Sequence, residues 1–159
     1  MIRFRPVFAG LFLAACGFHL KGSQVYDGLP VRNWYVSGGS LQQQLENALR
    51  RADGVPVNAS QAQASLVVGQ VREKKDVLVV TRAALVNEYL LVLEVQAKAI
   101  LAGGGEKPVS VRVQRRLEYA DSEVLGKQEE EAMIWREMRE DAAQQLVRRM
   151  AFLQSEYRQ

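Results

Sequence analysis

The chain has 159 residues, with 21 Lys and Arg against 18 Asp and Glu, one His and one Cys. That length supports one domain with a sizeable core and leaves too little for a comfortable second. A single cysteine excludes an intramolecular disulfide framework, and the near balance of charge lacks the one-sided basic excess of a nucleic-acid binder, so no nucleic-acid partner is expected.

At the N-terminus, Met1 to Pro6 carries Arg3 and Arg5 without an acid, and Val7 to Leu13 is an apolar run closed by Ala14 and Ala15. This is the layout of an export signal with its small-residue cleavage site. The run is too short for a membrane span, which needs roughly 20 apolar residues as helix. The lone cysteine, Cys16, follows directly. It could be a buried apolar filler, a metal ligand, a catalytic thiol or an attachment point. Leu13-Ala14-Ala15-Cys16 resembles the bacterial lipobox, whose cysteine receives a diacylglyceryl group and becomes the new N-terminus. A buried cysteine in a short N-terminal strand is the competing reading. Gly17 stands where an Asp in many lipoproteins signals inner-membrane retention, so outer-membrane delivery is expected, on the periplasmic side. The expected plan is a cleaved signal at 1–15, a lipidated tether at 16–30 and one domain at 31–159. Arg3 and Arg5 leave with the signal, so the mature chain carries 19 basic residues against 18 acids.

After the polar, turn-rich stretch from Lys21 to Pro30, Val31 to Val36 is β-prone and is closed by Ser37-Gly38-Gly39. Ser40 with Gln43 three residues on is a capping-box pattern, and Leu41, Leu45, Ala48, Leu49 and Ala52 fall at helical spacing before Gly54 and Pro56. Leu66 to Val80 reads as a strand crossed by the charged run Arg72-Glu73-Lys74-Lys75-Asp76, a bulge or a solvated stretch. From Tyr89 to Leu101 apolar residues occupy the odd positions, and Val109, Val111, Val113, Leu117 and Tyr119 repeat the alternation after Gly103-Gly104-Gly105. The last helix runs roughly from Lys127 to Leu153 with the stripe Ile134, Trp135, Met138, Ala142, Leu146, Met150 and Leu153. Glu129 to Glu131 are expected in its first turns and Arg148 and Arg149 in its last, as the macrodipole favours. The fold expected is an α+β two-layer sandwich: a four-stranded, mostly antiparallel sheet with two helices on one face, in the order β-α-β-β-β-α.

Arg82-Ala83-Ala84-Leu85-Val86, between the second and third strands, lacks the Gly or Pro of a solvated hairpin tip. Such a tip suits a protein lumen or an amphipathic lipid; the competing reading is that the strands continue and the chain bends elsewhere.

With lipobox, element order and local motifs combined, the chain resembles the LPS-assembly lipoprotein family LptE. The matching pieces are Cys16-Gly17-Phe18-His19-Leu20-Lys21, Asn87-Glu88-Tyr89, and Glu137-Met138 through Ala142-Ala143-Gln144-Gln145-Leu146 with Arg148. The resemblance implies a non-enzymatic protein that plugs the outer-membrane β-barrel LptD in a 1:1 complex, binds lipopolysaccharide (LPS) and assists its insertion into the outer leaflet. It also implies LPS contacts at Arg82, six residues before Glu88-Tyr89, and at Lys127 ahead of the last helix. The tip is more apolar than in the best-known members, and the tail ends soon after the helix.

His19, three residues after Cys16, makes no catalytic or metal pair once the thiol is acylated, and no cofactor or metal is expected. Glu129 to Glu131 read as a solvated helix turn rather than a general acid and base. The rival function is an auxiliary lipoprotein of another envelope lipid-transport system, such as a phospholipid transporter, because fold alone does not set function.

Overall fold

Alternation at period two becomes sheet and alternation at period 3.6 becomes helix in the computed structural model, which describes residues 29–80, 86–101, 105–118 and 124–153. In chain order these are β1 (Asn33–Ser37), α1 (Gln42–Arg51), β2 (Val55–Pro56), β3 (Ala64–Val80), β4 (Val86–Leu101), β5 (Glu106–Glu118) and α2 (Val124–Phe152). One sheet joins the strands in the order β2-β1-β3-β4-β5. β3, β4 and β5 form an antiparallel meander, and β1 lies parallel to both β2 and β3. The parallel pairing arises from α1, which carries the chain back so that β3 enters alongside β1 in the same direction.

The α+β class stands, but the sheet is mixed and has five strands rather than four. The added strand, β2, has two residues, too few to show a period. It exists because Val55 N donates to Arg32 O at 2.7 Å and Val57 N to Trp34 O at 2.9 Å. Gly105 is described just ahead of β5, whereas the rest of the expected glycine turn and Tyr119 lie outside the described residues.

Both helices cover one sheet face. Leu45, Ala48 and Leu49 of α1 and Met138, Ala142, Ala143, Leu146, Val147 and Met150 of α2 share a core with Leu91, Leu93, Val95, Val109, Val111 and Val113 of the sheet. The odd positions from Leu91 to Ala99 in β4 and Val109, Val111, Val113 and Leu117 in β5 are thus buried, as their alternation requires, whereas Arg115 is exposed. Val92, at an even position, is also buried but lies outside that core, between Lys74 and Gln114 in register.

The two ends of α1 are built differently from the sequence pattern. No side chain caps it in the Ser40 and Gln43 manner; a 3-10 turn at Gly39–Leu41 leads into the helix. Gln42 acts instead: its Oε1 accepts from Gly38 N at 2.7 Å, and its Nε2 donates to Val36 O at 3.1 Å and to Glu46 at 2.7 Å. One amide thereby ties the end of β1 to the start of α1. At the other end, Asp53 takes the left-handed conformation with φ 60, Gly54 N donates to Leu49 O at 2.9 Å and Asp53 N to Arg50 O at 3.3 Å. That is a Schellman ending with Asp in the position usually held by Gly. Gly54 is needed for space: a Cβ there would sit 2.7 Å from both Leu29 Cδ1 and Leu49 Cδ2.

Helix α2 begins at Val124, earlier than the apolar stripe indicates, so Glu129 to Glu131 fall in the second turn, and only Arg149 of the arginine pair is in the last. Their role is therefore not mainly with the helix dipole, which acts within the terminal turn.

Candidate functional site: the far end of the β3–β4 hairpin

β3 and β4 pair from Ala64↔Leu101 out to Val80↔Val86, so the chain reverses between Val80 and Val86. The two strands leave the apolar core at different points: residues 72 to 78 of β3 are all exposed, including Val77 at 52% and Leu78 at 42%, whereas Leu93 and Leu91, opposite Glu73 and Lys75, stay buried. Of the two expectations for the charged run the solvated stretch holds and the bulge does not: Arg72 to Asp76 are exposed and pair residue by residue with Glu94 to Leu90. The irregularities flank it, between Val68 and Gln70 and again between Val77 and Val80.

The first irregularity decides which charges face the helix. Leu66 and Val68 align with Ala99 and Ala97 on the core side; the slip at Gly69 then puts Val71, Glu73 and Lys75 opposite Val95, Leu93 and Leu91. Glu73 and Lys75 therefore point towards α2, where Arg139 Nη1 meets Glu73 Oε1 at 2.6 Å and Lys75 Nζ meets Glu131 Oε2 at 2.6 Å. Lys75 Nζ also lies 4.3 Å from the centre of the Tyr89 ring. Arg115 of β5 reaches Asp141 at 3.1 Å, and Trp135 Nε1 donates to Glu131 Oε1 at 3.3 Å.

Lys127 sits in the first turn of α2, one turn of about 5.4 Å before Glu131. Its ammonium is paired with Glu130 at 2.7 Å, and its side chain is largely covered, 17% exposed. The structure thus brings Lys127 to the same end of the molecule as the exposed hairpin. Cys16 and Arg82 lie outside the described residues. From sequence, Lys75 stood only in the charged run, Tyr89 in a family motif and Glu131 in a solvated helix turn, with nothing to bring the three together; the signal for the facing of Lys75 is Gly69, because a glycine inside a strand marks a bulge, and a bulge reverses the facing of every residue beyond it. Among the described residues no group of three or more His, Cys, Asp or Glu is placed to hold a metal ion, and no helix is long and apolar enough to cross a membrane.

This architecture recurs in known proteins. Residues 30–150 match the family model described as LptE, Lipopolysaccharide-assembly. The chain belongs to the LptE family. The LPS-assembly lipoprotein LptE of Pectobacterium atrosepticum is 35% identical over 147 residues, covering 89% of this chain and 80% of that protein. The LptE of Yersinia enterocolitica is 32% identical over 148 residues, covering 89% and 71%. Among solved structures, lipoprotein B from Nitrosomonas europaea superposes with a TM-score of 0.71 at 27% identity, over 87% of this chain and 93% of that one. Rare lipoprotein B from Shewanella oneidensis shares the fold with a TM-score of 0.72 at 20% identity, over 80% and 100%. Family membership carries a role in LPS assembly as a lipoprotein, and the mixed sheet with two helices on one face is the fold of these LptE-like lipoproteins.

Proposed function

We propose that this chain is an outer-membrane lipoprotein, acylated at Cys16, that plugs the LptD barrel in a 1:1 complex, binds LPS and assists its insertion into the outer leaflet without catalysing a reaction. The family match across residues 30–150 carries this reading. The far end of the hairpin supports it: exposed Val77 and Leu78 offer apolar surface beside the cations Lys75 and Lys127. LPS presents the complementary pair, acyl chains and phosphates.

In this reading Arg82 and Lys127 contact lipid A phosphates. Arg82 offers a bidentate guanidinium and Lys127 a point charge. Lys127 exchanges Glu130 for the phosphate. A hydrogen bond from such a cation to a charged acceptor contributes about 1.5–3 kcal/mol. The deciding experiment measures LPS binding by the mature protein and its Arg82→Asp, Lys127→Asp and Lys98→Asp variants at one salt concentration. Lys98, paired with Glu106 at 2.6 Å on the uncovered sheet face, controls for charge. Loss of about 10- to 150-fold in the first two and a much smaller loss in the third is expected. Equal losses in all three mean that only net charge is sensed and remove both residues from the site. Co-purification with a large β-barrel tests the partner; recovery with the periplasmic parts of an inner-membrane transporter instead overturns it.

A further inference from the structure

Away from the hairpin, α1 and α2 enclose a groove of about 190 Å³, floored by Leu29, Ala48, Val147 and Ala151 and rimmed by Arg51 and Arg148. Its floor is apolar because small side chains on each helix leave room between them. Its rim is basic. Neighbouring Arg50 is paired with Glu46 at 3.1 Å, and Arg149 is directed at the Ser110 carbonyl. Arg112, Arg115, Arg116 and Arg139 each meet a carboxylate. Among the described residues Arg51 and Arg148 meet none, as is also true of Arg32, Arg72 and Arg136; what sets the first two apart is that both line one apolar groove. Two exposed guanidiniums without anions, facing across an apolar trough, are complementary to an amphiphile with an anionic head.

Size and position narrow the class. The groove is smaller than the roughly 300–1,000 Å³ that encloses a whole drug-sized molecule, so it takes part of one chain while the remainder lies outside. Leu29, on the floor, is held against Gly54 and Leu49 and is the point from which the chain leads back to Cys16. The 13 residues from Cys16 to Leu29 span at most about 45 Å when extended. On the lipid-anchor reading of Cys16, on which this step rests, the groove is tethered within that reach of a bilayer.

We propose that the α1–α2 groove seats part of one acyl chain of an anionic glycerophospholipid from that bilayer, with Arg51 and Arg148 on its phosphate. This site is separate from the LPS contacts at the hairpin end. It would fix how the anchored domain meets the membrane, with the helix C-termini of α1 and α2 turned to the lipid.

The test uses the mature lipoprotein, purified from membranes and reconstituted in phosphatidylcholine vesicles. These carry a trace of phosphatidylglycerol or phosphatidylcholine with a photoreactive diazirine in the acyl chain. After illumination, labelled peptides are mapped by mass spectrometry. Phosphatidylglycerol should label the peptides holding Ala48, Val147 and Ala151. Phosphatidylcholine should label them up to about fivefold less, the upper worth of one solvent-exposed ion pair. Arg51→Gln and Arg148→Gln should each lower phosphatidylglycerol labelling by up to about fivefold and the double variant by up to about 25-fold. Arg136→Gln, on an exposed face of α2, should leave it unchanged.

Labelling confined to the 16–28 peptide, equal labelling by both probes, or indifference to the arginine variants overturns the proposal. In the last case Arg51 only complements the C-terminus of α1 and Arg148 is a solvated surface charge. Loss of groove labelling to equimolar LPS overturns the phospholipid assignment. The same digest weighs the Cys16 peptide. A peptide without acyl groups refutes the anchor, and the groove still stands or falls on the arginine variants.

Discussion

At the end of the sheet where β1 enters, Trp34, Leu41, Leu45, Leu49 and Leu66 are wholly buried, and α1 and the second half of α2 close over them with Ala142, Ala143, Leu146 and Met150. At the other end β3 is exposed from Arg72 to Leu78, and the first half of α2 meets it through Arg139 with Glu73 and Glu131 with Lys75. One helix thus spans two kinds of attachment. Burial of apolar area contributes ~25 cal/mol per Å² and is not weakened by charge screening. Partly exposed ion pairs contribute ~0–1 kcal/mol each and weaken as salt rises. The buried end therefore supplies the stability, and the hairpin end is left able to exchange its partners.

The largest effect should separate the two ends outright. Leu45→Ala, in the buried end, is expected to cost about 2–5 kcal/mol in denaturant unfolding, against within ~0.5 kcal/mol for Val77→Ala at the hairpin end. Comparable losses would abolish the distinction.

Gly38→Ala should come next. A Cβ at Gly38 would stand 2.7 Å from Gln42 Cα and 2.9 Å from Gln42 N, both backbone atoms that cannot turn aside. Pushing α1 off β1 should cost about 1–3 kcal/mol, visible in the same unfolding curves and with the fold retained by circular dichroism.

Gln42→Ala sharpens the account of that junction. It removes the bonds to Gly38 N and Val36 O and should cost about 1 kcal/mol, whereas Ser40→Ala, without a capping bond, should change stability by less than half of that.

The smallest effect probes the ion pairs. A double-mutant cycle on Glu73 and Arg139 should give a coupling of about 0.2–1 kcal/mol that shrinks at high salt. Amide exchange should meanwhile be faster in Gly126–Glu137 than in Ala142–Met150, and a coupling above about 3 kcal/mol would mean the pair is effectively buried.

Much of this was legible from the chain itself. Tyr89 to Leu101 and Val109 to Leu117 state which side is buried, because a strand's side chains alternate whatever it pairs with. Leu45, Ala48 and Leu49, like Met138, Ala142, Leu146 and Met150, declare a helix face by spacing alone. The candidate site was legible only in part: Lys127 and Glu130 were both named, but not their pairing, nor the approach of Lys75 and Tyr89 to the same end.

The remainder depended on pairing between distant segments. A slip of one residue at Gly69 decides whether Glu73 and Lys75 face solvent or α2, and register is a property of two strands together. β2 exists only because Arg32 and Trp34 present carbonyls to Val55 and Val57. Ser40 had the local pattern of a cap, but Gln42 won because only the folded chain brings Val36 O and Gly38 N within its reach. The α1–α2 groove belongs to this second class too: its floor and rim come from residues some hundred positions apart, from Ala48 to Arg148, which become neighbours only when two helices share one face of a sheet.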